Sequence, residues 1–83
     1  MIWVTDAKHL GDFRLRLRFS DGAEGEVDLG RLITTDTRPI VMALRDPAVF
    51  AAFSVDMDTV MWRNGFDLAP EYLYAQVKAA ATA

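Results

Sequence analysis

Two carboxylates and two tyrosines near the carboxyl end of the chain are the side chains whose types and spacing could support chemistry. Asp67 and Glu71 lie four positions apart, and Tyr72 and Tyr74 follow them. A carboxylate pair can act as general acid and general base when burial or mutual repulsion separates the two pKa values. Together with Asn64, these four residues form the candidate interaction or ligand surface of the chain.

Helix capping offers a simpler interpretation of the same carboxylates. Pro70 suits the first position of a helix, which makes Ala69 the nominal N-cap. Alanine caps poorly, so we expect Asp67 to help satisfy the free amides from just outside the helix. Glu71 would meet the positive end of the helix in its first turn. Because Asn64-Gly65 is a strong tight-turn dipeptide, the whole segment is better explained as a turn and a helix entry than as a catalytic site.

The tyrosines are the better candidates for a contact with a partner. Leu73 and Val77, with Ala80 or Ala81, form the apolar stripe of the last helix. Tyr72 and Tyr74 flank Leu73 and cannot both share its face, so at least one of them should be partly exposed. Exposed tyrosines are enriched at protein interfaces. Trp62, the other large aromatic residue of this segment, is expected in the core.

Other polar residues fall short of a catalytic or metal-binding set. Asp56 and Asp58 could offer oxygen ligands to a hard cation, but the segment lacks the further ligands and the glycine of a calcium loop. We expect a turn there instead. His9 is the only histidine and the chain has no cysteine, which argues against a usual zinc site. Ser20 and Ser54 have no His/Asp partner nearby in the sequence, although a distant pairing stays open. We therefore expect no catalytic residue, no metal and no cofactor.

Length and composition limit the class of protein. With 83 residues, 52% of them hydrophobic and 25% charged, the chain is expected to form one globular domain over residues 1–83, with the last few residues frayed. The net charge of −3 argues against nucleic-acid binding by this chain on its own. No apolar stretch approaches the roughly 20 residues of a membrane span, and the amino terminus lacks the pattern of a signal peptide. We expect a cytoplasmic protein without membrane contact.

A charged β-hairpin is the clearest structural prediction. Residues 13–19 and 24–29 each alternate apolar and charged side chains, as half-buried strands do. A three-residue loop at Ser20-Asp21-Gly22, with Gly22 left-handed, keeps the apolar and charged faces separate, whereas a two-residue loop would mix them. This register predicts a ladder of opposite charges that neutralises the arginines: Arg18 with Glu24, Arg16 with Glu26, and Arg14 with Asp28.

The remaining elements are shorter. Residues 2–8 are predicted as a first strand, followed by a turn at residues 9–12. Residues 30–33 would form one helical turn, and residues 34–39 a loop. The segment 40–53 is an interrupted helical region in which Asp46 caps a helix that begins at Pro47 and runs to Phe53.

That helix would bury Val49, Phe50 and Phe53. Two short strands, at residues 54–57 and 59–62, would surround Asp58. The expected fold class is therefore α+β: a small, mostly antiparallel sheet made of the amino-terminal strand, the charged hairpin and the short later strands, packed with short helices and a carboxyl-terminal helix.

Four segments carry a resemblance to a known family. They are Phe19-Ser20-Asp21-Gly22, Val27-Asp28-Leu29, Asp46-Pro47-Ala48-Val49-Phe50, and above all the stretch from Trp62 to Tyr74. The chain resembles the bacterial family catalogued as domain of unknown function 2442, and it departs from the family pattern at Arg63, where proline is usual. The resemblance implies an α+β fold and no established activity. Some longer relatives look like this domain followed by a helix-turn-helix, and some members resemble the smaller half of two-gene toxin–antitoxin-like modules.

These observations favour a non-enzymatic protein–protein interaction module over an enzyme. Its partner would be a second copy, giving a homodimer, or another protein, with this chain as the antitoxin-like half of a two-gene bacterial system. Addition of a strand to an uncovered sheet edge is the natural binding mode. The alternative is a small ligand-binding or enzymatic domain with its site around Asn64, Asp67, Glu71 and Tyr72.

Overall fold

A three-stranded antiparallel sheet forms the centre of the fold. The computed structural model describes residues 1–82, with side chains to residue 80. Its strands are β1 (Val4–Gly11), β2 (Arg14–Phe19) and β3 (Glu24–Asp28), in the order β1-β2-β3. The register of the hairpin is the predicted one, with Arg18 opposite Glu24, Arg16 opposite Glu26 and Arg14 opposite Asp28. Gly22 has a φ of 88°, so the predicted loop conformation is also confirmed.

The first strand extends further than the alternation of the sequence suggested. It begins at Val4 and continues through the predicted turn at residues 9–12 to Gly11. Gly11 and Asp12 both have positive φ, at 121° and 47°, which confines the reversal of the chain to the residues just before β2. An irregularity of the pairing between His9 and Gly11 obscures the period-2 pattern there, because a bulge breaks the alternation of faces.

Three short helices and a 3-10 turn connect the hairpin to the later strands. They are α1 (Gly30–Thr35), α2 (Pro39–Met42), the 3-10 turn Ala43–Arg45, and α3 (Pro47–Ala51). The Asp46 carboxylate accepts a hydrogen bond from the Ala48 amide, as the sequence predicted.

Two boundaries in this region differ from the prediction. The helix α1 continues through Thr34 and Thr35, whose hydroxyls donate to the Gly30 and Arg31 carbonyls instead of belonging to a loop. The helix α3 ends at Ala51 rather than Phe53, and Val49 is 38% exposed although its burial was predicted.

A small hairpin and a long helix complete the fold. The strands β4 (Ser54–Asp56) and β5 (Thr59–Met61) pair around Met57 and Asp58, which have φ values of 49° and 70° and form the predicted turn. The helix α4 (Pro70–Thr82) follows. The expected fraying of the chain end stays a prediction, since residue 83 lies outside the described residues.

The core lies between the sheet and the helices. Leu15, Leu17 and Phe19 of β2 are buried. The helix α4 packs against β3 and buries Leu73 and Val77. Ala80, which the predicted stripe of α4 included as one choice, is exposed. The α+β architecture is the predicted one. Across residues 1–82, no helix has the length and apolar character needed to cross a membrane.

Candidate interaction surfaces

Asn64 lies in a three-residue turn that ties the last part of the chain to α2. The Trp62 amide donates to the Phe66 carbonyl at 2.9 Å, and the Gly65 amide donates to the Trp62 carbonyl at 3.0 Å. The Asn64 Oδ1 accepts from the Phe66 amide at 3.0 Å, while its Nδ2 donates to the Ile40 carbonyl at 2.9 Å. Both ends of this amide are therefore occupied by structural hydrogen bonds.

Tyr74 faces the charged hairpin rather than the rest of the candidate surface. Its hydroxyl donates to Asp21 Oδ2 at 2.7 Å, and its ring meets the Phe19 ring edge-on with centroids 5.0 Å apart. The Lys78 Nζ lies 5.2 Å from the ring centroid. The hydrogen bond from Tyr74 lowers the pKa of Asp21, and the same bond raises the pKa of Tyr74. Tyr74 thus fastens α4 to the hairpin loop.

The predicted capping role of Asp67 is wrong. Its backbone pairs with Met61 in an antiparallel bridge, and within residues 1–82 its exposed carboxylate accepts no hydrogen bond. Strand-like pairing, rather than the helix, fixes the position of this residue. Glu71 is exposed in the first turn of α4, as expected from the sequence.

The predicted division of the tyrosines is confirmed. Tyr72 is 40% exposed, whereas Tyr74 is half-buried. Trp62 is buried, and its Nε1 donates to the Phe50 carbonyl at 2.9 Å, which confirms its predicted place in the core. The candidate residues therefore lie in different surroundings. Asn64 stabilises the turn next to α2, Tyr74 is bonded to the hairpin loop, and Tyr72 faces solvent. They form no common set of converging polar groups.

An apolar groove, which the sequence did not reveal, lies between α3 and the turn at Asn64. Its volume is about 470 Å³, and its walls are almost wholly apolar. The lining residues are Ala43, Ala48, Val49, Ala52, Trp62, Arg63 and Asn64. Three of them are alanines, one from the 3-10 turn and two, four positions apart, from the α3 region. No pattern in the sequence pointed to the groove, because it arises where α3 ends early beside a turn that follows much later in the chain.

The surroundings of the groove combine exposed apolar side chains with one positive charge. Ile40 and Met42 of α2 are 36% and 42% exposed, and the Ile40 carbonyl is held by the groove residue Asn64. Arg63 lines the groove, and its guanidinium has no ion pair within the part of the chain that the structure describes. The groove therefore combines almost wholly apolar walls with one cationic lining residue.

The solvent face of the large sheet carries balanced charge. Cross-strand pairing places four basic and four acidic residues on it: Lys8, Arg14, Arg16 and Arg18, with Asp6, Glu24, Glu26 and Asp28. Among the described residues of this face, only Arg18 and Glu24 approach as an ion pair, at 3.2 Å. The three arginines therefore do not form a basic patch.

No metal centre is evident at these surfaces. Within residues 1–82, no group of three His, Asp or Glu side chains is arranged to hold a metal ion. Asp56 instead accepts a hydrogen bond from the Met57 amide at 2.8 Å, within the turn between β4 and β5.

Comparisons with known proteins give one family and one similar fold. The family model described as "Protein of unknown function (DUF2442)" matches residues 4–79. A crystal structure from Nitrosomonas europaea, named a "Putative DNA Binding Protein", is similar with a TM-score of 0.80 and 27% identity. The match covers 99% of this chain and 52% of that one, so the chain spans about half the length of its structural relative. No curated protein matches the chain.

Proposed function

The chain belongs to the DUF2442 family of proteins of unknown function, and we propose on that premise that it is a protein–protein interaction module. Its binding surface is the groove between α3 and the turn at Asn64. The observation that carries the proposal is the combination of about 470 Å³ of almost wholly apolar space with exposed apolar residues on the adjoining helix α2. Apolar patches of this kind on a small domain mark binding sites.

The partner is a protein segment that offers an apolar side chain and a carboxylate. Alanines at positions 43, 48 and 52 leave room for the apolar side chain, and the charge of Arg63 complements the carboxylate. Ile40 and Met42 are exposed on α2, and the Ile40 carbonyl is bonded to the groove residue Asn64, so this helix offers further apolar side chains next to the groove. A contact that spreads over a groove and a neighbouring helix suits a protein segment better than a small molecule, which is usually enclosed on most of its surface.

The interaction proposal extends to the cellular location and the source of the partner. We place the module in the bacterial cytoplasm, as the antitoxin-like half of a two-gene system whose partner is the product of the neighbouring gene. A homodimer is the other form of the same interaction. The resemblance to two-gene modules and the accessible apolar groove support this assignment, and co-expression tests it. Growth arrest by the neighbouring gene should be relieved by this protein and not by a variant with a filled groove.

The structural relative is named as a "Putative DNA Binding Protein", and this chain spans 52% of its length. We do not extend that property to this chain, because the charges on its sheet face balance and its net charge is −3. Binding of a small ligand around Asn64, Asp67, Glu71 and Tyr72 remains the alternative. It has little support, since the Asn64 side chain is already bonded to Ile40 and Phe66.

Arginine substitutions at two positions near α3 provide a matched test. Ala48 lines the groove, whereas Ala51 lies on the same helix and is exposed outside it. A photo-crosslinking residue at position 48, but not at position 51, should capture one protein, either a partner or a second copy. With that protein purified, Ala48→Arg should weaken binding at least about tenfold, the cost of one buried contact, while Ala51→Arg should leave it near the wild-type value.

Two results would contradict the proposal. One is equal crosslinking at both positions, which would indicate random contact. The other is equal affinity of the Ala48→Arg and Ala51→Arg variants for the captured protein. Both substitutions are at exposed positions of a short helix, so both variants should fold. Circular dichroism of both variants serves as the folding control.

A further inference from the structure

The strand β3 has an open edge. At both ends of the hairpin the hydrogen-bonded pairs are visible: the Phe19 amide donates to the Ala23 carbonyl, and the Leu29 amide donates to the Phe13 carbonyl. Hydrogen-bonded and non-hydrogen-bonded pairs alternate along an antiparallel ladder. The backbone amides and carbonyls of Gly25 and Val27 therefore point toward β2. The amides and carbonyls of Glu24 and Glu26 point away from it. Across the described residues these outward groups have no backbone partner outside the strand.

The side chains of this edge are acidic on one face. Glu24, Glu26 and Asp28 are exposed on the solvent side, whereas Val27 is buried on the opposite side. Within residues 1–82, neither Glu26 nor Asp28 forms an ion pair, although Arg16 and Arg14 lie opposite them. The Asp28 Oδ1 accepts a hydrogen bond from the Gly30 amide at 2.8 Å. Glu26 has no such partner among the described residues, so it is the carboxylate best placed to pair with a cation from a strand on the other side.

A second copy of β3 is a poor occupant of this edge. Antiparallel pairing of two copies about Glu26 would set Glu26 against Glu26, and Glu24 against Asp28. Like charges directly opposite each other destabilise a pair of strands, and charged edges are a common protection against self-association. The edge consequently discriminates against its own copy and favours a strand of opposite charge.

We propose that the open edge of β3 binds an extended segment of a protein partner that has lysine or arginine at every second position and apolar residues between them. The strand β2 is the pattern for this segment, because it sets Arg14, Arg16 and Arg18 opposite the same three acidic residues from the other side, with an ion pair between Arg18 and Glu24. Strand addition of this type gains affinity from main-chain hydrogen bonds and specificity from alternate side chains. This inference rests on the proposed interaction function and names a second surface and its partner chemistry.

A peptide that copies β2 is the direct probe. A labelled peptide with the sequence of residues 13–19, Phe-Arg-Leu-Arg-Leu-Arg-Phe, should bind the intact protein at least about tenfold more tightly than a peptide with glutamate in place of each arginine. Hydrogen exchange at the Glu24 and Glu26 amides should slow when the basic peptide is bound. Equal affinity for the two peptides, or unchanged exchange at both amides, would overturn the proposal.

Substitutions at Glu26 separate the backbone contribution from the charge. Proline at position 26 removes an outward amide, which edge strands tolerate, and it should abolish peptide binding. Glu26→Gln keeps the amide and should weaken binding only several-fold. Glu26→Lys, which reverses the charge and retains the amide, should also abolish binding and covers the case in which the proline variant does not fold. Unchanged affinity in the lysine variant, or in a proline variant that folds, would overturn the proposal.

The groove variant distinguishes the two surfaces. Ala48→Arg should leave the affinity for the basic peptide unchanged, because Ala48 belongs to the groove and not to β3. Loss of groove binding with retained peptide binding would separate the two surfaces as proposed. Failure of the groove experiment in a protein that still binds the basic peptide would remove only the groove assignment.

Discussion

Asn64 and Asp21 occupy equivalent positions in two turns of the same construction. In each turn, a glycine amide donates back to an aromatic residue, Phe19 or Trp62, and the side chain in question accepts from an amide two positions later. The further partners differ. Asn64 donates to the Ile40 carbonyl, whereas Asp21 accepts from the Tyr74 hydroxyl. An amide suits the first site because it must donate, and a carboxylate suits the second because it only accepts.

The bond between Tyr74 and Asp21 predicts a pH-dependent contribution to stability. Because the bond lowers the pKa of Asp21 below its ordinary 3.8, it stabilises the fold above pH 3.8, and this contribution is lost as the pH falls through the lowered pKa. Tyr74→Phe should therefore destabilise the protein at neutral pH, and the difference from wild type should shrink in strong acid. Urea unfolding at neutral pH and well below pH 3.8 measures both values.

Tyr72→Phe is the matched control for this measurement. Tyr72 is exposed and, within the described residues, its hydroxyl has no hydrogen bond, so its removal should leave stability unchanged at either pH. At the alkaline end the sign reverses. The pKa of Tyr74 is raised above 10.0, so its contribution is complete below pH 10.0 and is lost as the pH rises through the raised pKa. Equal losses in both phenylalanine variants would contradict the assignment.

At the scale of elements, the packing of α4 on β3 depends on a glycine. A Cβ atom built at Gly25 would lie 2.5 Å from Val77 Cγ1, which is far closer than van der Waals contact. The absence of a side chain at Gly25 is thus what lets the helix lie directly on the strand. The sequence identified Gly25 only as a member of an alternating strand, since a close approach between residues so far apart has no local pattern.

Gly25→Ala should destabilise the protein by about 1–3 kcal/mol, because the added methyl group overpacks a buried contact with a stiff β-branched side chain. Chemical denaturation provides the measurement, and a double-mutant cycle with Val77→Ala provides the control. The second substitution removes the clashing methyl groups, so the double variant should be more stable than the sum of the single effects implies. Additive losses would show that the clash at Val77 is not the cause.

At the scale of the whole molecule, the distribution of charge decides which partners the domain favours. The large sheet exposes equal numbers of acidic and basic residues on its solvent face, and the chain as a whole carries a net charge of −3. Affinity for the phosphate backbone depends on an excess of positive charge. The two surfaces proposed for binding, one apolar and one acidic, are instead suited to protein segments.

We therefore expect this chain to show no measurable affinity for duplex DNA at low salt. Fluorescence anisotropy with a labelled duplex, titrated at several salt concentrations, provides the measurement. A variant with lysine at Glu24 and Glu26 is a useful positive control, since it converts the same sheet face to net positive charge and should gain weak, salt-sensitive binding. Salt-dependent binding by the wild-type chain would contradict the expectation. It would favour DNA binding, the property for which the structural relative is named.

Much of the fold is predictable because it depends on neighbouring residues. The alternation of β2 and β3 sets which side chains face the core, and only a three-residue loop is consistent with both strands, so the register followed from the sequence. Asp46 before Pro47 determines the start of α3 in the same way. These features rest on hydrogen bonds and side-chain periods that span a few residues.

The surfaces proposed for binding were decided by the tertiary structure. The groove exists because the turn that contains Arg63 and Asn64 packs beside α3, and Tyr74 finds its partner in Asp21 on a distant loop. Asp67 is held by pairing with Met61 rather than by the helix that follows it. Each outcome depends on which distant segments meet when the core closes, and the residues concerned carry no local pattern that specifies their partners. The segment from Trp62 to Tyr74 therefore identified the family, while the packing around it determined what each of its residues contacts.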